Sequence, residues 1–352
     1  MATEEKPQTN IMQPIFFFFI FKGKYRRRAL NNFLKIKKLE NNYIFNLSGT
    51  FRYHILGLPF FLFTRLFKNI FKNFIFISCD DQPQIKYNGI NIWFGGTSYK
   101  LSDESKKLKN NCFVFENFSK KEKNLLNFYP FKPAKTKLSK DHKIVFIGGF
   151  NITENSLVDK IWKKEKKIIF DNLTIIDKFT FWKKYDLQNH DRLQTFYLQL
   201  KERLRFDLIL ELKNIFNDKF VLVGTKWKEY NQSAKKDEFD LLKIGHLYNG
   251  NICLDLGSKW GSNIFYPRSV EIIEHGGLLL QSEQLNSSRE FYDSGAINKF
   301  SSQDQLVKEL RNLMSNSETF YEKINKQYNF FNNNDLNLST LNKIYEISKK
   351  ND

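Results

Sequence analysis

Four short apolar runs in the second half of the chain constrain its fold more than any other feature. They read KIVFIGGF (143–150), KFVLVGTKW (219–227), GNICLDLGS (250–258) and GGLLLQS (276–282), and each carries a glycine or polar turn at its end. Runs of this length suit strands, and a long helical stretch over 191–216 separates the first two. Strands alternating with helices predict a mostly parallel sheet in an α/β domain. Ligands of such sheets sit outside the carboxyl ends of the strands. Those ends carry Gly148 and Gly149, then Gly224, Lys226 and Trp227, then the loop from Gly257 to Tyr266. Three glycine-bearing turns are therefore expected to converge on one edge.

The first half shows the same alternation. Strand candidates are 15–21, 43–49, 74–81, 91–96 and 112–117, with a basic helix candidate over 26–40 and an amphipathic one over 60–74. In the latter, Phe63, Leu66, Phe67, Ile70, Phe71 and Phe74 keep a helical period, and Arg65, Lys68 and Lys72 take the other face. The stretch YPFKPAKTKLSKDH (129–142) has two prolines and many lysines and reads as an exposed linker. These boundaries predict a disordered start (1–11), an N-terminal Rossmann-like domain (12–135), a C-terminal one (143–330), and a connector with a final helix (331–352). In the C-terminal domain, Ser302 and Gln305 form a capping box ahead of a helix, and a further helix covers about 318–330.

Composition narrows the partners. The 352 residues are ample for two domains, and 56 Lys+Arg against 38 Asp+Glu give a net charge of +18. Such a surface attracts nucleic acid, anionic lipid or phosphate-bearing small molecules. The basic residues are spread along the chain and no RRM, KH or zinc-finger signature occurs, so no nucleic acid is expected as partner and a basic nucleic-acid-binding protein stands only as the lesser alternative. Three scattered cysteines, Cys79, Cys112 and Cys253, show no metal-ligand spacing and point to a reducing compartment. No apolar run approaches the roughly 20 residues needed to cross a membrane. The acidic, polar start MATEEKPQTN is unlike a secretory signal. A cytoplasmic protein is expected. The basic run KGKYRRR (22–28) and the 60–74 helix offer peripheral contact with an anionic membrane at its inner face.

The segment YPRSVEIIEHGGLLLQS (266–282) carries the chemistry. Pro267 suits the first position of a helix, where its missing N–H is unpaired anyway. Arg268, Glu271 and His275 then recur on one face, while Val270, Ile273 and Ile272 take the other. Gly276 or Gly277 is expected to close the helix in a left-handed conformation. An arginine in a first helical turn sits beside backbone N–H groups that favour anions and can clamp a diphosphate. A carboxylate one turn on can accept hydrogen bonds from the vicinal hydroxyls of a ribose. The plainer reading of the same pair is an intrahelical salt bridge.

The same segment, with REFYDSGAINKFSSQDQLVKELRNLMSNSETFYEKINKQY behind it (289–328), resembles the C-terminal domain of group 1-type glycosyltransferases of the GT-B fold. KIVFIGGF resembles the strand that opens that domain, and KFVLVGTKW its middle strand and turn. The resemblance covers about 143–330. It implies two Rossmann-like doubly wound domains facing a central cleft, and transfer of a sugar from a nucleotide-sugar donor to a glycan or lipid-linked acceptor. Glu271 matches the residue that holds the donor ribose, and Arg268 the basic residue facing the phosphates. Relatives often carry a second Glu eight positions earlier; here Asn263 stands there. That departure leaves retention or inversion open and admits a binding protein without turnover.

Glycosyl transfer passes through an oxocarbenium-like state with a nucleoside diphosphate as leaving group. Fixed positive charge and backbone N–H groups lower that barrier. Gly148, Gly149, Gly224, Lys226, Trp227, Asn263, Tyr266, Arg268 and Glu271 are the expected donor-binding residues. No cofactor or metal is expected, since no DxD motif ends a strand. Asp80 and Asp81, in CDDQP (79–83), are candidates for a general base on the acceptor hydroxyl; otherwise they cap a turn before Pro83.

Overall fold

The structure is a computed structural model. It describes strand segments 18–19, 44–48, 75–79, 90–94 and 112–114, and residues 66, 133–137, 141–187, 190, 192–224, 226–230, 244–257, 267–283 and 293–333. The chain divides into two compact units. One comprises Met1–Phe115, Lys121–Leu126 and Asn337–Asp352; the other comprises Glu116–Lys120 and Asn127–Leu336.

In the first unit, β1 (Phe18–Phe19), β2 (Ile44–Ser48), β3 (Ile75–Cys79), β4 (Ile90–Phe94) and β5 (Cys112–Val114) form a parallel sheet in sequence order. All five lie inside or within one residue of the predicted runs. The helix candidates at 26–40 and 60–74, apart from residue 66, the C-terminal helix, and Asp80 and Asp81 fall outside the described residues.

The second unit holds β6 (Ile144–Ile147), β7 (Phe220–Val223), β8 (Ile252–Asp255), β9 (Leu278–Ser282) and β10 (Asn298–Phe300). They are parallel, in the order β10-β9-β8-β6-β7. The order reverses at β6, and such a reversal opens a crevice between the strands on either side of it. Pairing shows the opening directly. β6 and β7 are in register over four residues, as are β8 and β9, but β6 and β8 pair only at Ile144–Ile252 and Val145–Cys253. Beyond Val145 the two central strands part.

Both faces of this sheet are covered, which explains why its strands read as continuous apolar runs. Ile144, Phe146, Ile252, Leu254, Leu278 and Leu280 face one core with α1 (Ser156–Asp171), α2 (Phe179–Lys183), α3 (Leu193–Phe216) and α5 (Gln303–Ser315). Val145, Ile147, Cys253 and Leu279 face the other with α4 (Pro267–Glu274). α6 (Ser317–Asn333) gives Phe320 and Ile324 to the first core and Phe331 to the second. α1 and α2 are not anticipated from the sequence. Asn155 caps α1 by accepting from Leu157 N and Val158 N, and its inner stripe is Val158, Ile161, Trp162, Glu165 and Ile169. The cap at Ser302 is as expected, but Gln305 reaches back to Ser301, through its N–H and its hydroxyl.

Of the stretch read as a linker, residues 133–137 and 141–142 are described. Residues 133–137 are tied down on the second unit: Ala134 N donates to Ile273 O, Thr136 Oγ1 to Gly276 O, and Lys137 N to Asn249 Oδ1. No helix among the described residues is long and apolar enough to cross a membrane.

Candidate functional site

The carboxyl ends of β6, β7 and β8 bring the glycine turns together. Gly148 N donates to Val223 O (2.9 Å), extending the β6–β7 ladder past its last pair. Gly224 crosses so close that a Cβ there would stand 2.3 Å from Gly148 O, and its φ of +143° lies in a region open to glycine. Trp227 Nε1 donates to that same Gly148 carbonyl. Its ring is completely buried among Phe146, Phe150 and Phe206. Trp227, expected among the donor-binding residues, is a fully buried indole that holds the turn. Lys226, immediately before it, is exposed, adopts a left-handed φ of +68°, and directs Nζ to Asn151 Oδ1 (3.4 Å) on the β6–α1 loop. A left-handed lysine costs about 1 kcal/mol, which its surroundings must offset.

α4 starts at Pro267, as the proline predicts, and ends on Gly276 at φ +75°. Gly276 N bonds Ile273 O and Gly277 N bonds Ile272 O, the paired bonds of a Schellman close. The buried arc is wider than expected. Ser269, Val270, Glu271, Ile272 and Ile273 are all at most 4% exposed, leaving Arg268, Glu274 and His275 half-buried. Glu271 thus lies one turn on from Arg268 but inside the packed arc. His275 is structural: Nδ1 donates to Glu271 O (2.8 Å), and its ring covers Gly245, where a Cβ would meet Nε2 at 2.3 Å.

Arg268 and the Gly148 turn, 120 positions apart in the chain, meet in space. A Cβ added at Gly148 would stand 2.8 Å from Arg268 Nη1. The glycine makes room for the guanidinium over the end of β6. A buried network fixes the helix that carries it. Ser269 Oγ donates to Asp255 Oδ2 at the end of β8, Gln281 Nε2 on β9 donates to Ser269 Oγ (2.8 Å), and Gly257 N donates to Asp255 Oδ1 (2.9 Å). None of Asp255, Ser269 and Gln281 is more than 3% exposed. None of the three is anticipated from the sequence; their signal is a polar residue inside an otherwise apolar strand or helix face.

Arg205, also unanticipated, comes from α3 on the opposite face. Its Nη1 donates to Gly149 O (3.4 Å) and its Nη2 to Gly257 O (3.3 Å). It thus spans the mouth between the diverging ends of β6 and β8. The nearby acids Asp255 and Glu202 are buried and already accept backbone N–H groups, from Gly257 and Asn151 respectively. Three cations and three close-packed glycines therefore define this edge, an arrangement suited to a phosphate-bearing anion. Asn263 and Tyr266, expected here, lie outside the described residues.

No family model matches the chain, and no curated protein sequence matches it. Among solved structures it is similar to WaaG, a glycosyltransferase involved in lipopolysaccharide biosynthesis, with a TM-score of 0.42 and 10% identity over 96% of this chain and 99% of that one. It is also similar to a glycosyltransferase from Rickettsia africae ESF-5, with a TM-score of 0.41 and 13% identity over 96% of this chain and 97% of that one.

Proposed function

We propose that the chain is a GT-B-type glycosyltransferase that moves a sugar from a nucleotide-sugar donor to a glycan or lipid-linked acceptor in surface polysaccharide or glycan synthesis. The observation that carries this reading is the seating of Arg268 over Gly148 at the reversal in strand order. It joins the helix whose sequence resembles the donor-binding motif to the crevice where parallel sheets hold nucleotides. In this reading Arg268 and Lys226 meet the diphosphate, the Gly148–Gly149 and Gly224 turns let it approach the backbone, and Glu271 turns toward the ribose when donor binds. Negative charge develops on the leaving diphosphate, and cations fixed at the crevice stabilise it without reorganising. No metal is assigned a role. The first unit takes the acceptor, with Asp80 or Asp81 as base if the reaction inverts, and the protein works at the inner face of the membrane.

A second reading, a donor-binding protein without turnover, is favoured by Asn263 standing where relatives carry a glutamate. One experiment separates the two. A thermal-shift panel of nucleoside diphosphates and nucleotide sugars is run on wild type, Glu271→Gln and Arg268→Ala, followed by donor-hydrolysis assays on any donor that binds. Ligand at 100 times its dissociation constant adds about 2.7 kcal/mol, a shift of a few degrees. Stabilisation by one nucleotide class, weakened in both variants, supports the site; hydrolysis then supports the transferase, and its absence the binding protein. No stabilisation by any nucleotide sinks both.

A further inference from the structure

The proposed site receives a cation from each face of the sheet, and only one of them belongs to the motif that suggested it. Arg205 projects from α3, whose Leu200, Leu204, Leu208, Ile209 and Leu212 are buried in one core. Arg268 projects from α4, which packs into the other. The neighbouring charged groups of α3 are engaged elsewhere: Lys201 pairs with Asp177 (2.8 Å) and Arg203 with Asp159. Arg205, half-buried, has no carboxylate partner among the described residues. Its charge is met by two carbonyls at 3.3 and 3.4 Å, beyond the usual range for a charged donor. A guanidinium has five N–H donors in a fixed fork, so among the described residues most of its capacity is unspent. The two carbonyls also matter on their own account. Gly149 O and Gly257 O flank the crevice, and bare carbonyl dipoles there would repel an anion.

We propose that Arg205 is a further phosphate-binding residue of this site, clamping the donor diphosphate from the α3 side while Arg268 meets it from the α4 side. The inference rests on the nucleotide reading above, and pyrophosphate separates the two. With nothing bound, Arg205 neutralises the carbonyls of the two turns. When a diphosphate enters, the remaining N–H donors of the same fork take its oxygens while the contacts to the two carbonyls are kept.

The test is isothermal titration of wild type, Arg205→Gln and Arg205→Lys with three probes in metal-free buffer: inorganic pyrophosphate, each nucleoside diphosphate, and the matching nucleoside. A lost charge-assisted contact of this kind corresponds to a roughly 10- to 100-fold weaker affinity. The expected result is that loss for pyrophosphate and nucleoside diphosphate in Arg205→Gln, with nucleoside affinity unchanged and partial retention in Arg205→Lys. An equal loss for nucleoside and diphosphate marks Arg205 as a structural brace and overturns the inference. So does unchanged diphosphate affinity. If pyrophosphate binds wild type and weakens in Arg205→Gln while no nucleotide binds, Arg205 is an anion ligand and the nucleotide reading falls. If neither probe binds wild type, both fall.

Discussion

The two edges of the second sheet treat their cations differently: Lys213 at the amino edge reaches carbonyls at 2.6 and 3.0 Å, Lys226 and Arg205 at the carboxyl edge reach oxygens only at 3.3–3.4 Å. At the amino edge, side chains are spent on closing the backbone. Gln327 accepts from Leu279 N and donates to Gly277 O. Buried Lys213 donates to Asn217 O and Phe220 O, His142 Nε2 bonds Leu313 O, and Asn251 accepts from Lys143 N while donating to Leu247 O. At the carboxyl edge, Lys226 and Arg205 reach neutral oxygens at 3.3–3.4 Å, and glycines clear space around Gly148. The amino edge spends these side chains on its own backbone, although His142 Nδ1 stays buried without a partner. At the other, Lys226 and Arg205 meet only neutral oxygens among the described residues. The contrast separates residues that stabilise the unit from residues that equip it, even though both groups are polar and lie at strand ends.

Four substitutions break or sharpen that contrast. The largest effect is expected for Gly224→Ala, because its Cβ would strike the Gly148 carbonyl and its φ is closed to alanine. A loss of about 3 kcal/mol or more is expected in denaturant titration, with loss of any nucleotide response. Next is Gln327→Leu at the amino edge, which leaves Gly277 O and Leu279 N buried and unpaired. It should cost about 2–3 kcal/mol of stability and leave nucleotide affinity per folded molecule unchanged. Arg268→Ala should reverse that pattern. Stability should fall less than in Gln327→Leu, while diphosphate affinity falls roughly 10-fold or more. If Gln327→Leu weakens binding as much as Arg268→Ala does, the division between the edges fails.

The smallest effect is a pH dependence at the amino edge. Burial holds the Lys213 ammonium below its usual range, with Asp218 opposing the shift. Between that lowered value and the ordinary lysine value of 10.5, the unfolded chain binds more protons than the folded one. Stability from this group therefore rises with pH across the window. Wild type should gain on Lys213→Met in denaturant midpoint as pH rises toward 10.5. A gap that narrows over that range contradicts the assignment.

The strands were legible because both faces of each are buried, which writes them as uninterrupted apolar runs. The close of α4 at Gly276 was legible for a similar reason, since a glycine after an apolar period has few other uses. α1 was harder to read. Glu165 sits on its buried face, held by Lys184 and Tyr185, and Ile168 on its exposed one, so its periodicity is blurred. The order of strands, and with it the crevice between β6 and β8, is set by long-range pairing that no local pattern records. The candidate site divides in the same way. Arg268 and Glu271 belong to one short motif. Arg205 and the Asp255–Ser269–Gln281 network join residues from separate elements, and nothing in the spacing announces that they meet.

The most direct test is amide hydrogen exchange on the full chain, with and without the nucleoside diphosphate that most stabilises it. The account predicts added protection at residues 147–151 and 223–227 and in the first turn of α4, with residues 249–252 and 276–279 at the amino edge unchanged. Protection confined to the amino edge, or spread evenly over both edges, would contradict the claim that the carboxyl edge is the ligand site.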